Sequence, residues 1–576
     1  MLSLNSDCSS EKRGKDMNKK LFVTALSSLL AVSALAGCSG GSSAPAGSTT
    51  PAPGATATAE AAGGEESTSP KILRFGCSGY DIVLNPILSS NVYDGWANDL
   101  IFQGLTRTNP EGEYIEGYIV DSIELSEDKL TYTFTLKDNV TFSDGSPMTA
   151  EDVVFTYMTM KDPDYTGPRS GVAATYDSVE AIDDTHVAFH MVAASPANLQ
   201  NFTYGVLSKA HYEYSSMEEF EAKNNDPMGT GPFKLESAQA KQYINLVKNE
   251  NFWDTENAPK LDGVQFLEVS EEALLPALQN KEIDFAQPAA KLENVEAVEE
   301  MDETHLVSYL ANGYTFMCFN TTRPTLEDVK VRQALVYALD RRSFLTAEYG
   351  SDELVALGMC PISKTSWAYP GDDELNAYDY DLDKAAALLD EAGWKDTDGD
   401  GVRDKDGNKL ALDWLVYPEA TWPGTLSGMA YDSWKQIGVE LNIKTLDFNT
   451  VAETAMDAAP GEKDFDIYTM GFSLSADPDP TGGLFDYDAY SAGGYNASGF
   501  YDERSQELIK LGLAEFDQDK RAEIYKEWAI RQNELLPTLI VAYRSEIWAI
   551  NDNVHGLDDI AVYTSWTDLI KDVTMD

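Results

Sequence analysis

Tyr132-Thr133-Phe134-Thr135-Leu136-Lys137, then Val140-Thr141-Phe142-Ser143-Asp144-Gly145, then Thr149-Ala150-Glu151-Asp152-Val153, is the stretch on which the reading of this chain turns. From Leu130 to Leu136 apolar and polar residues alternate, with Tyr132, Phe134 and Leu136 on one side and three threonines on the other. That is the period of a half-exposed β-strand. Ser143-Asp144-Gly145 has the composition of a turn. Thr149 then stands where a helix N-cap is wanted, with Asp152 three residues on, a shorter version of the capping box. Strand, turn and capped helix within some twenty residues make an α/β unit.

The same alternation extends outward in both directions. Upstream, Ile72 to Phe75 reads as a strand, the pattern around Trp96, Leu100, Ile101 and Phe102 as a helix, and Gly104-Leu105-Thr106 as a short strand. Downstream, Asp328 to Leu345 reads as one helix, because Val331, Leu335, Ala338 and Leu339 share a face. Lys384 to Ala392 is a short helix stopped by Gly393. Glu507 to Leu536 reads as two helices and Leu539 to Ala542 as a buried strand. No internal repeat is visible.

With 576 residues the chain is too long for one core, so at least two lobes are expected. Ninety-six acids against 42 bases give a formal charge of −54. Phosphate neutralisation needs clustered Lys and Arg, so nucleic acid is excluded as a partner, as is broad contact with anionic headgroups. The acids chiefly keep the surface soluble. Of five cysteines (Cys8, Cys38, Cys77, Cys318 and Cys360) none makes a CxxC, and the five histidines leave little for metal or acid–base work. GxSxG, HExxH and a Cys/His signature are all missing, so no enzyme is expected, although acids are abundant enough to supply a glycosidase pair.

Met17-Asn18-Lys19-Lys20 is a basic start, followed by an uncharged apolar run from Leu21 to Gly37. This run is short for a membrane span and suits a signal peptide, with Met17 the expected true start. Leu35-Ala36-Gly37-Cys38 resembles the lipobox of bacterial lipoproteins, in which the Cys is diacylglyceryl-modified and becomes the new N-terminus. The Gly, Ser, Ala, Thr and Pro that follow Cys38 cannot offset their ordering entropy by burial and read as a leash.

Further motifs then fall in one order. Phe102-Gln103-Gly104-Leu105 is followed by Gly112, Gly229-Thr230-Gly231-Pro232-Phe233, Asn251-Phe252-Trp253, Val331-Arg332-Gln333-Ala334-Leu335, Asp466-Ile467-Tyr468 and Ala476-Asp477-Pro478-Asp479-Pro480. Together they resemble the bacterial extracellular solute-binding proteins that include the oligopeptide- and dipeptide-binding proteins of ABC importers, from Ile72 to about Gly556. The resemblance implies an α/β, two-lobed, periplasmic-binding-protein-like (type II) fold, with hinge strands between the lobes near Phe316–Phe319 and Thr538–Ala542. The implied division is 1–37 leader, 38–70 lipidated Cys and linker, 71–107, 228–315 and 538–576 first lobe, 108–227 an extra subdomain of that lobe, and 316–537 second lobe. Closure of such lobes buries the ligand.

By the same resemblance the ligand is a short peptide, held through its backbone as in strand addition, and handed to permease subunits with their ATPases. The expected state is a monomer, anchored at Cys38 on the outer face of the cell membrane. The peptide's ammonium needs a buried anion. The resemblance puts Asp477 there, with Asp479 as the alternative. Tyr93 and Asp94 correspond to a stretch of the first lobe that meets the peptide, and Trp414, Tyr417 and Trp422 to a segment facing the cleft, although each of these three suits a core position equally well. Asp396, Asp398, Asp400 and Asp404 alternate with glycines like a calcium loop, but Gly407 stands where that loop needs its last Glu; calcium is therefore an option and no cofactor is required. Oligosaccharide as cargo, and a sensing rather than importing role, are the competing readings.

Overall fold

The structure, a computed structural model, describes residues 69–77 and 79–576. The leader, Cys38 and the leash up to residue 68 lie outside the described residues. Thr131–Leu136 forms the strand expected, its buried residues falling at Tyr132, Phe134 and Leu136. It pairs antiparallel with Val120–Leu125 and His186–Met191, and Tyr176–Ala181 completes a four-stranded sheet. Gly145 takes the left-handed conformation of the turn, φ +87°. The helix Ala150–Thr159 starts on a capping box: the Asp152 carboxylate accepts the Thr149 backbone N–H at 2.8 Å. It also accepts the Lys209 N–H at 2.8 Å, tying the helix start to a distant turn.

A twelve-stranded mixed sheet runs through the rest of the molecule. Its centre is one long strand, Thr538–Asn551. The first part of this strand pairs with Gly313–Phe319, and its last part with Thr304–Leu310. Two hydrophobic cores hang on these two parts. One gathers residues between Leu73 and Phe285 with Trp548 to Val573; the other gathers residues between Tyr314 and Tyr543. The strand is therefore shared by two lobes, and the chain passes between them at Ala311-Asn312 and again just beyond Ala542. The four-stranded sheet packs into the first of these cores through Tyr132, Phe134 and Phe189.

Two motifs gain a physical reason here. In Gly229-Thr230-Gly231 a Cβ on either glycine would overlap a backbone carbonyl oxygen, of Ile101 for Gly229 and of Leu100 for Gly231. Only glycine lets this turn close over the end of helix Val92–Ile101, where the Gly231 N–H reaches the Ile101 carbonyl at 2.8 Å. In Val331-Arg332-Gln333-Ala334-Leu335 the arginine is the working residue. Its guanidinium is 1 % exposed and donates to the carbonyls of Leu326, Glu327, Leu535 and Leu536. It satisfies the last carbonyls of helix Gln518–Leu535, although burial lowers its pKa to about 10.

Three expectations are corrected. The segment 328–345 is two helices, Val329–Tyr337 and Arg341–Tyr349. Asp340 caps the second one, accepting the Ser343 N–H at 3.0 Å, and this local bond competes with helix continuation. Near Gly104 the strand is Thr106–Thr108, paired with Tyr114–Glu116. The buried strand at Leu539–Ala542 continues to Asn551, because its second part is equally apolar.

Candidate ligand-binding cleft

Two adjoining cavities open along the hinge. The larger, about 800 Å³, is walled by the first lobe and by Leu474, Ser475 and Ala476 of the second. The smaller, about 240 Å³, lies on the loop Asp477 to Gly483. Asn312, Leu474 and Ser475 line both, so one ligand can reach from one to the other. The lobes already touch across this region: the Lys129 ammonium lies 3.9 Å over the Phe516 ring.

The Ala476-Asp477-Pro478-Asp479-Pro480 loop carries a buried charge cluster. Arg521, 4 % exposed, grips the Asp477 carboxylate with both terminal nitrogens, at 2.5 and 2.8 Å. The Asp479 N–H donates to the same carboxylate at 3.0 Å. Asp479 itself accepts from the Thr481 N–H at 3.1 Å and its hydroxyl at 2.7 Å, and from Tyr525 at 3.4 Å. Burial, then the Asp477 charge, hold the Asp479 carboxyl above the usual range, against the Thr481 bonds. Burial works against the Arg521 charge, but its bonds to Asp477 raise its pKa nonetheless. Two carboxylates and one guanidinium leave one negative charge uncompensated. Sequence reasoning found both acids and missed Arg521, which is 44 residues away in sequence.

The first-lobe residues are distributed differently from expectation. Asp94 is fully buried, and its carboxylate is occupied by the N–H groups of Asp81, Ile82 and Val83 at 3.1–3.2 Å. It fixes that turn, in which Ile82 has φ +59°, and is not among the residues lining either cavity. Tyr93 is half-buried against Phe75 and Trp96. On the same helix Asn91, Gly95 and Asp99, spaced by four, do line the larger cavity. On this helix the cavity is therefore lined by residues flanking Tyr93 and Asp94 and not by those two.

Of the two readings open for the three aromatics, the burial matches the core one. Trp414 is fully buried and stacks on Trp434 at 5.5 Å, inside the second core. Tyr417 and Trp422 are buried and meet edge to face at 6.4 Å; burial pushes the Tyr417 hydroxyl up to about 12. None of the three is among the residues lining either cavity. The aromatic walls of the larger cavity include Trp96, Tyr118, Tyr309 and Trp548.

In the acidic loop, carboxylate oxygens of Asp396, Asp398 and Asp404 lie within 4.8 Å of one another. Asp396 is bonded by the N–H groups of Gly399 and Gly401, and Asp404 by Thr397. Lys409 places its ammonium against Asp398 and Asp400, so the loop already draws on a positive charge of its own. Cys77, Cys318 and Cys360 are free and buried, and burial pushes the Cys318 and Cys360 thiols up to about 12. Among the described residues no helix is long and apolar enough to cross a membrane.

Comparison with known proteins places this geometry. The oligopeptide-binding protein AppA of Bacillus subtilis is 29 % identical over 492 residues, 84 % of this chain and 88 % of that protein. The dipeptide-binding protein of Escherichia coli is 25 % identical over 517 residues, 85 % and 92 % of the two chains. The solved structure of AppA with a nonapeptide superposes with a TM-score of 0.70 at 26 % identity, covering 88 % of this chain and all of that one. The substrate-binding protein CtaP of Listeria monocytogenes gives 0.76 at 27 %, with the same coverage. The model of the bacterial extracellular solute-binding proteins, family 5 Middle, matches residues 115–494, and the chain belongs to that family.

Proposed function

We propose that this protein captures short peptides in the cleft between its lobes and delivers them to the permease of an ABC importer. The observation that carries the reading is the single uncompensated negative charge on the Asp477–Asp479–Arg521 cluster at the wall of the smaller cavity. A peptide ammonium is the group that would neutralise it. Asp477 is already committed to Arg521, so Asp479 is the anchor in this reading. Relatives described as oligopeptide- and dipeptide-binding support the same cargo. The test is native mass spectrometry of the protein as purified, followed by calorimetry with peptide and oligosaccharide libraries. Co-purified or titrated peptides are expected; saccharide binding with no peptide binding overturns the proposal.

The same reading puts the protein on the outer face of the cell membrane, tethered at Cys38, on the evidence of Leu35-Ala36-Gly37-Cys38. Cys38→Ala should yield protein that carries no lipid label and is either released or left uncleaved. A variant that stays cleaved, membrane-bound and labelled would remove the anchor.

A further inference from the structure

The larger cavity holds several charged groups, and all but one are accounted for. Arg169 donates to the Ser89 carbonyl at 2.6 Å and lies over the Tyr204 ring. Lys571 donates to Asn257 at 3.3 Å, and Asp254 accepts from Asn257. Glu546 accepts from Tyr309 at 2.7 Å and from Gln287 at 3.1 Å. Asp568 accepts the Ser565 N–H at 3.0 Å and is further stabilised by Arg107, whose guanidinium lies 5.0 Å over Tyr118, and by Tyr118 itself.

Asp99 differs. Among the described residues its carboxylate has neither a hydrogen bond nor an ion pair, and the charge that acts on it is another acid, Asp568. Its side chain is exposed to the cavity. Its surroundings and the Asp568 charge hold its carboxyl above the usual carboxylate range. Beside it Asn98 lines the same cavity at 4 % exposure; its Nδ2 is spent on the Val83 carbonyl and its Oδ1 has no partner. An acid with no partner on the wall of the ligand cavity favours a cationic group of the ligand over a neutral one. Trp96, Tyr309 and Trp548 line the same cavity, and aromatic faces suit the methylene stem and the cation of a long basic side chain.

We infer that this cavity is a subsite for a lysine or arginine side chain of the bound peptide, whose cation pairs with Asp99. The inference rests on the peptide reading above. It adds a second cation site to the one at Asp479, and the wall residues common to both cavities allow one peptide to occupy both. It makes the protein selective for basic peptides.

The test is calorimetry with short free-amine peptides in which lysine or norleucine is placed at each position in turn, on wild type and Asp99→Asn, at pH 6 and pH 8. At one position lysine should bind roughly ten- to a hundredfold more tightly than norleucine at pH 8. The preference should shrink as the pH falls and Asp99 takes up a proton. Asp99→Asn should abolish the preference at both pH values and leave the norleucine peptide within about twofold of wild type. Equal binding of lysine and norleucine at every position overturns the inference while leaving the peptide reading intact. So does a lysine preference that survives Asp99→Asn. Failure of every peptide to bind wild type overturns both. Because Asp99 is exposed, Asp99→Asn should unfold at the same urea midpoint as wild type, and Asp99→Ser should lose the lysine preference in the same way; a preference kept in both variants overturns the inference.

Discussion

Arg521→Met should cost about 3–5 kcal/mol of stability, the usual consequence of leaving a buried charge without its partner. The guanidinium holds Asp477 with two parallel bonds at 2.5 and 2.8 Å, the geometry in which arginine and carboxylate bind most strongly. Both side chains are at least nine-tenths buried, so water cannot replace either partner. Arg521 also donates to the Gly512 carbonyl at 2.8 Å, which joins helix Gln518–Leu535 to the end of Glu503–Ala514. Methionine keeps the length and loses every one of these bonds. Asp477 and Asp479 would then face each other with no cation between them.

The double variant Asp477→Asn/Arg521→Met should recover much of the loss, since it removes the orphaned charge together with its partner. Urea unfolding followed by tryptophan fluorescence reads both, because Trp367 lies near the guanidinium and Trp528 in the adjoining core. A loss below about 1 kcal/mol in the single variant, or a double variant no better than the single, would mean that the pair is not the buried, dry contact described.

What the sequence disclosed follows the range of the interaction concerned. The strand at Thr131–Leu136 and the cap at Thr149 were readable because their signals lie within a few residues: side-chain alternation in one case, a carboxylate three positions on in the other. The break at Asp340 was equally local but was hidden by a continuous apolar face, since Val331, Leu335 and Leu339 fall on one stripe whether or not the helix continues through Asp340. Trp414 illustrates the opposite limit. A tryptophan on a strand beside a cleft and one stacked on Trp434 in a core have the same local sequence, and only the partner distinguishes them. Asp94 and Asp99 share one helix, and the choice between them depends on which face meets the 81–83 turn. The Asp477–Arg521 pair spans two elements and left no trace in composition or spacing. The family motifs point to the Asp477–Pro480 loop, and the tertiary contacts give its two acids different partners, Arg521 for Asp477 and Thr481 for Asp479.

That division sets the largest effect on binding. Asp479→Asn should weaken a free-amine peptide by roughly two to three decades, if removing one member of a desolvated pair costs about 3–5 kcal/mol and each decade is worth about 1.4 kcal/mol. Asparagine keeps the shape of the side chain and can still accept from Thr481, so the loop should hold. An N-acetylated peptide should bind wild type poorly, and should lose much less on the substitution, because it brings no charge to the cluster. Acid should act in the same direction. The ammonium requires ionised Asp479, whose carboxyl burial lifts above the ordinary range, so affinity for the free-amine peptide should fall at a higher pH than an exposed carboxylate would give. In Asp479→Asn that acid limb should disappear. Asp477→Asn should instead behave mainly as a stability variant, since it strands Arg521 and leaves Asp479 to meet both the guanidinium and the ligand. Equal losses for the free and acetylated peptides would show that Asp479→Asn damages the loop and not an ion pair. An unchanged free-amine affinity in Asp479→Asn, with a large loss in Asp477→Asn that its stability does not explain, would transfer the anchor to Asp477 and require the ligand to displace Arg521.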